Sequence, residues 1–310
     1  MNLKTKRNAA IWGFIVGDAL GVPYEFTDRN DMKLEPATGM KGFGTHHQPA
    51  GTWSDDTSMM LCVLEKIKTK GTTKDLAKLF IRWYDDGYHT AHGVVFDIGI
   101  TTRAAIYKLK TGIAVSKSGS SDEHSAGNGS LMRCLPYAFA EDFEKAMSEM
   151  IKDNNITHRL SICNDCCLFY AKVIQAITKG KDKEDAVEAG VNYLKFDRRI
   201  VESGEDETDL VYNSKFNIIF SENFRLLPEV AIKSTGYVLD TIEAVIWCFL
   251  NTDNYTDAVL KAINLGGDTD TIAALTGGIA ATYYGLDNIP KEWIEQIVRR
   301  EDLEKIISTL

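Results

Sequence analysis

"INLGGDTDTIAALTGGIAATYYG", residues 263–285, carries a Gly pair at 266 and 267, sets Asp268 and Asp270 two apart with Thr269 and Thr271 interleaved, then turns apolar. Ile272, Leu275, Ile279 and Tyr283 recur at three- and four-residue spacing, which predicts a helix, and Gly285 follows as a C-cap. Taken alone, acidic residues at a helix start meet orphan N–H groups and the positive end of the dipole. A second stretch, "GTWSDDTSMML" at residues 51–61, repeats the design, with Asp55 and Asp56 behind Ser54 and ahead of an apolar run. Two such clusters, each opening a buried helix, leave a buried excess of negative charge that protonation or a cation relieves. Oxygen ligands from Asp and Ser or Thr suit hard ions such as Mg²⁺ or Mn²⁺, one ion or two sharing a carboxylate.

Helical spacing continues through most of the chain. Met59, Met60, Val63, Leu64 and Ile67 share a face, as do Leu76, Leu79, Phe80 and Trp83, and Ile242, Val245, Trp247 and Phe249. Gly180 reads as another C-cap, only six prolines interrupt, and the best strand-like run, "FNIIF" at 216–220, is short. The fold class is therefore all-α. Four stretches break the pattern: 27–52, which holds His46 and His47, then 112–130, 198–209 and 264–271. Helical segments of similar composition flank each of them. They read as loops converging on a site within one domain spanning 1–310, not as linkers.

Hydrophobic content of 44% and charged content of 25% are those of an ordinary globular protein, and the net charge of -9 gives no general attraction to nucleic acid or anionic membrane. An anionic substrate must be held by local cations, backbone amides or metal ions. Lys4, Lys6 and Arg7 precede "AAIWGFIVGDALGV", which has the outline of a signal peptide. Asp18 interrupts that run, no cleavage site follows, and Gly13, Gly17 and Gly21 recur every fourth residue. This is the pattern of a core helix whose small-residue face admits another backbone. No segment is apolar enough to span a bilayer. The cysteines at 62, 134, 163, 166, 167 and 248 lack a second Cys/His pair at zinc spacing. They read as buried thiols in a reducing cytoplasm.

Five motifs together carry a family resemblance: "GFIVGDALGVPYEF" (13–26), "GTWSDDTSMML" (51–61), "FDIGITTR" (96–103), "SAGNGSLMR" (125–133) and the stretch at 263–285. In order and spacing the sequence resembles, nearly end to end, the ADP-ribosylglycohydrolase family. That family includes the dinitrogenase reductase-activating glycohydrolases and the ADP-ribosylarginine hydrolases. The resemblance implies a single compact orthogonal helical domain with a binuclear Mg²⁺ or Mn²⁺ site in a central cleft. It further implies hydrolysis of a glycosidic bond to ADP-ribose. Carried over position by position, the metal ligands are Ser54, Asp55, Asp56, Asp268, Asp270 and Thr271. Ser54 stands where the family usually has Thr, so the hydroxyl is kept and a methyl is lost.

The same resemblance places Glu25 beside the metals as ligand or base, where alone it reads as a surface glutamate after a helix. It places Asp97 near the scissile bond, facing the guanidinium in arginine-specific members; alone, Asp97 reads as an N-cap. A carboxylate accepts the guanidinium fork bidentately. Gly127, Asn128, Gly129 and Ser130 form a plain turn on their own. At a helix N-terminus such a turn receives a pyrophosphate through backbone N–H groups, and the resemblance assigns it to diphosphate and ribose contacts. His158, otherwise a structural histidine at a helix start, matches one that contacts ADP-ribose. Tyr212 in "DLVYNS" is a candidate adenine platform, and Gly236 and Tyr237 in "STGYVLDT" match a pattern near the substrate.

The implied activity is metal-dependent release of ADP-ribose from a protein side chain, arginine above all, reversing mono-ADP-ribosylation. The partners are then an ADP-ribosylated protein and ADP-ribose, with an ADP-ribosyltransferase toxin as a further one. Three alternatives remain at this level: hydrolysis of O-acetyl-ADP-ribose or ADP-ribosylserine, a non-catalytic immunity protein that occludes a toxin, and a two-metal phosphoesterase that cleaves the diphosphate.

Overall fold

The computed structural model of the protein describes residues 2–197, 216, 219, 221 and 223–309. Helices α1 (Leu3–Gly21), α2 (Arg29–Leu34) and α3 (Asp55–Lys68) lead into α4 (Thr73–Asp86), α5 (Ile100–Lys110) and α6 (Val115–Ser118). Then follow α7 (Phe143–Asn154), α8 (Ser161–Thr178), α9 (Lys183–Asn192), α10 (Val238–Leu250) and α11 (Tyr255–Asn264). The chain closes with α12 (Thr269–Tyr284), α13 (Lys291–Gln296) and α14 (Arg300–Ser308). Among the described residues no sheet forms; extended pairing is limited to isolated bridges, including Gly127 with Tyr237. The all-α reading holds. Tyr212 and the 198–209 loop lie outside the described residues, and of the strand-like run Phe216 and Ile219 are described, both buried.

The Gly13–Gly17–Gly21 face does what its spacing predicts. A Cβ on Gly13 would stand 2.4 Å from the Gly277 carbonyl oxygen, one on Gly17 2.1 Å from that of Ala273, and one on Gly21 2.4 Å from the Asp270 Cα. The partner number falls as the α1 number rises, so α1 and α12 run antiparallel in backbone contact. α12 is buried along almost its whole length, from Thr269 to Thr282, as a helix apolar all round must be. The C-terminal end of α1 and the N-terminal end of α12 therefore share one end of the pair, and that end carries both acidic segments. Around this axis α4 packs Leu76, Leu79, Phe80 and Trp83 inward behind a Thr72–Asp75 capping box, and α8 buries Cys163, Cys166 and Cys167. All six cysteines are buried free thiols, as read from their spacing. Among the described residues no helix is long and apolar enough to cross a membrane.

Candidate active site

The start of α3 is fixed from outside by α1. Ser54 Oγ accepts from the Asp56 N–H, capping the helix, while the Asp18 carboxylate accepts from the N–H of Ser54 (3.0 Å), the N–H of Thr57 (3.1 Å) and the Thr57 hydroxyl (2.6 Å). Burial pushes Asp18 up to about 6 against the pull of these donors. The sequence showed Asp18 only as an interruption of an apolar run; its work is to pin α3 to α1. Asp55 and Asp56 are thereby held in the interior, 5% and 1% exposed. Asp56 Oδ2 accepts from Ser54 Oγ (3.2 Å) and Thr271 Oγ1 (3.3 Å), tying α3 to α12, whereas Asp56 Oδ1 has no donor.

The start of α12 is set by Gly266 and Gly267, both at positive φ. Phe26 N–H donates to the Gly267 carbonyl (2.7 Å) and Gly267 N–H returns to Thr27 (2.9 Å), so the segment after Glu25 is stapled to the acidic loop. Asp268 Oδ2 accepts from Asn128 Nδ2 (2.9 Å), Asp268 Oδ1 has no donor, and neither oxygen of Asp270 has one. Ligand atoms of Glu25, Asp268 and Asp270 lie within 4.8 Å of one another, and so do those of Glu25, His46 and Asp97. Burial first and mutual repulsion second raise Asp55, Asp56 and Asp270 well above the carboxylate range. Glu25 and Asp97 are pushed up to about 10 by the same causes. Buried acceptors without donors, all oxygen and crowded together, fit hard divalent cations.

These groups open into a cleft of about 370 Å³ lined by Glu25, Asp55, Asp56, Asp97, Asp268 and Thr271, together with Gly127, Asn128, Gly129, His158 and Gly236. Asp97 is not an N-cap: α5 is capped by Gly99, and Asp97 stands at φ +54 with its carboxylate 3.9 Å from His46 Nε2. His46 also pairs with Glu25. Burial lowers the imidazole below its usual value, so a neutral ring meets two acids. In the sequence His46 and His47 are only neighbours in a loop; the acids that give His46 its place are 21 and 51 positions away.

Two expectations for the 127–130 turn change. A short 3₁₀ turn, Leu131–Arg133, follows it, not an α-helix, so no helix dipole stands behind it. The Ser130 side chain is buried with its hydroxyl against Cys167 (3.8 Å) and is absent from the cleft wall. What remains at the wall is Asn128, whose N–H donates to Gly236 and whose amide bridges Thr241 and Asp268, and the bare backbone of Gly129, where a Cβ would lie 2.7 Å from His158 Cε1. Tyr237 caps α10, half-exposed and outside the lining. Arg133, missed in the sequence, is the buried bolt: it donates to the Gly129 carbonyl and to Thr157 Oγ1 (2.7 Å). Thr157 Oγ1, which accepts from Arg133 and has the Asn154 carbonyl at 3.5 Å, stands 2.8 Å from His158 Nδ1 and so fixes the orientation of the ring. Burial, then the Arg133 charge, lower His158 to about 3, so it stays neutral.

The sequence matches the family model described as ADP-ribosylglycohydrolase over residues 1–310. The chain belongs to the ADP-ribosylglycohydrolase family. It is 32% identical, over 98% of its length and 77% of the relative's, to ADP-ribosylarginine hydrolase Tri1 of Pseudomonas putida. It is 27% identical, over 95% of its length and 91% of the relative's, to ADP-ribosyl-[dinitrogen reductase] glycohydrolase of Rhodospirillum rubrum. A solved ADP-ribosylglycohydrolase-related protein complex superposes with TM-score 0.79 at 28% identity, covering 99% of this chain and 97% of that one.

Proposed function

We propose that the protein hydrolyses the glycosidic bond between ADP-ribose and an arginine side chain, reversing mono-ADP-ribosylation. The reading is carried by one observation: buried carboxylate oxygens without donors line the same cleft as the glycine-flanked Asn128 turn and a neutral histidine. The relatives named for arginine and dinitrogen reductase support the linkage. Two divalent cations, Mg²⁺ or Mn²⁺, would be held by Ser54, Asp55, Asp56, Asp268, Asp270 and Thr271, and would supply the positive charge that lets these acids and Glu25 ionise and that polarises the ribose hydroxyls.

The chain's own residues supply the rest. The Gly129 backbone and His158 bind the diphosphate and ribose, and Asn128, whose N–H groups are spent on Gly236, Thr241 and Asp268, holds the turn against the acidic loop. Glu25, oriented by His46, accepts the proton of the water that attacks the anomeric carbon, where oxocarbenium-like charge builds. The C–O bond forms, the C–N bond to guanidine breaks, and the proton passes to the departing nitrogen. Asp97 holds the guanidinium as a bidentate acceptor. In a reducing cytoplasm, where buried thiols stay free, the reaction protects a protein modified by an ADP-ribosyltransferase toxin or by a regulatory transferase. The test is to incubate an arginine-ADP-ribosylated protein with the enzyme and Mn²⁺ and to identify products by mass spectrometry. Intact ADP-ribose is expected, lost in the Asp55→Ala, Asp268→Ala double variant. AMP with ribose phosphate would instead mark a phosphoesterase.

A further inference from the structure

Phe26 breaks two rules of folding at once. Its ring is 70% exposed, and its backbone stands at φ +63, a conformation that bulky residues adopt only at a cost. Glycine there would remove the strain and expose nothing apolar. The position is nevertheless rigid, because the reciprocal hydrogen bonds between Phe26, Thr27 and Gly267 lock it to the acidic loop. The ring lines the same cleft as Glu25, Asp97 and Asp268. It lies 6.2 Å, centroid to centroid, from His46, whose Nε2 is 3.9 Å from the Asp97 carboxylate. The Phe26 ring, the Phe96 ring (5.3 Å) and the Asp97 carboxylate thus surround one imidazole, and of the two rings Phe26 is the one that lines the acidic cleft.

We infer that the Phe26 ring is the face on which the guanidinium leaving group stacks, so that Phe26 selects cationic over neutral ADP-ribose linkages. A guanidinium offers both an edge and a face: a carboxylate takes the edge bidentately and an aromatic ring takes the face. Phe26 is one residue from Glu25, at the carboxylates where the scissile bond must lie. The adenine of the same substrate is a diphosphate and a second ribose away from that bond, which places the ring on the leaving-group side.

The inference rests on the arginine reading above, and the experiment separates the two. Steady-state kinetics in Mn²⁺ compare wild type, Phe26→Leu and Phe26→Tyr on an arginine-linked substrate and on O-acetyl-ADP-ribose, whose leaving group carries no charge. Agmatine is titrated onto each ADP-ribose-loaded protein by calorimetry. Phe26→Leu is expected to raise the KM for the arginine linkage and the agmatine Kd about fivefold. Phe26→Tyr stays within about twofold on both, and the O-acetyl KM does not move. An equal rise in KM on both substrates would assign the ring to the shared ADP-ribose part and overturn the inference, as would an unchanged agmatine Kd. Wild-type inactivity on the arginine linkage refutes the proposed function separately; agmatine binding that depends on Phe26 then sustains the inference, and ring-independent binding overturns it.

Discussion

A Cβ on Gly17 would stand 2.1 Å from the Ala273 carbonyl oxygen, so α1 and α12 meet through bare backbone one turn from the acidic residues. The obstacle is main chain and cannot swing aside. Gly17→Ala must therefore part the helices, at a cost of about 2–3 kcal/mol of overpacking. It also draws Asp270, which faces Gly21, away from Glu25. Thermal unfolding with chelator and with Mn²⁺ should show a lower Tm and a smaller Mn²⁺-induced rise. Gly39→Ala, where the added carbon meets only Trp293 Nε1 at 3.5 Å, serves as the neutral control for stability. Equal melting of both variants would sink the argument.

Asp270 is buried with no donor to either oxygen, and its stability effect should change sign with metal. In chelator at pH 8, Asp270→Asn removes a repelled, desolvated carboxylate and should raise the Tm. In Mn²⁺ it removes a candidate ligand, so the Mn²⁺-induced rise shrinks and the rate falls about 10²-fold or more. Differential scanning fluorimetry with paired rate measurements reads both signs. A variant that melts lower than wild type in chelator would contradict the picture of an uncompensated acid.

The pH dependence follows the same logic. Folded Glu25 and Asp97 are raised to about 10, by burial first and by neighbouring carboxylates next. A carboxyl raised on folding contributes stability below its unfolded value, near 4, and loses it as pH climbs through the folded value. Metal-free protein should therefore lose Tm steadily from pH 5 to pH 9. Cations compete with those protons, so the Mn²⁺-induced rise in Tm should grow over the same interval, and adding Mn²⁺ at pH 8 should release protons into weak buffer. A Tm in chelator that is flat or rising with pH would refute it.

Much of this site was legible in the chain because its acids sit at the head of helices whose period is plain. Ser54, Asp55, Asp56, Asp268 and Asp270 announced themselves by local pattern, and Gly13, Gly17 and Gly21 by their spacing. What the pattern lacked was pairing at a distance. Asp18 caps a helix 36 residues downstream, His46 finds its acids in two other segments, and Arg133 bolts one turn to another, none of which has a local signature. Ser130 shows the opposite case: a polar residue in a glycine turn looks like a donor to ligand, and packing turns its hydroxyl onto Cys167.

His158 offers a test of whether a buried neutral imidazole serves the substrate or the fold. Burial and Arg133 lower it to about 3 in the folded protein. A base depressed on folding contributes stability above its unfolded value, near 6.5, and that stability is lost as pH falls from there toward 3. At pH 5 the loss amounts to about 2 kcal/mol relative to pH 8 at 1.36 kcal/mol per unit. His158→Gln carries no such titration, so the stability gap between wild type and variant, measured by urea unfolding, should narrow by about that amount between pH 8 and pH 5. If Nε2 donates to bound ADP-ribose, the variant should also raise the ADP-ribose Kd about tenfold, the loss of one hydrogen bond to a charged group, with wild-type affinity showing no inflection near pH 6.5. A narrowed gap with unchanged affinity would leave His158 as a bolt for the Gly129 turn and nothing more.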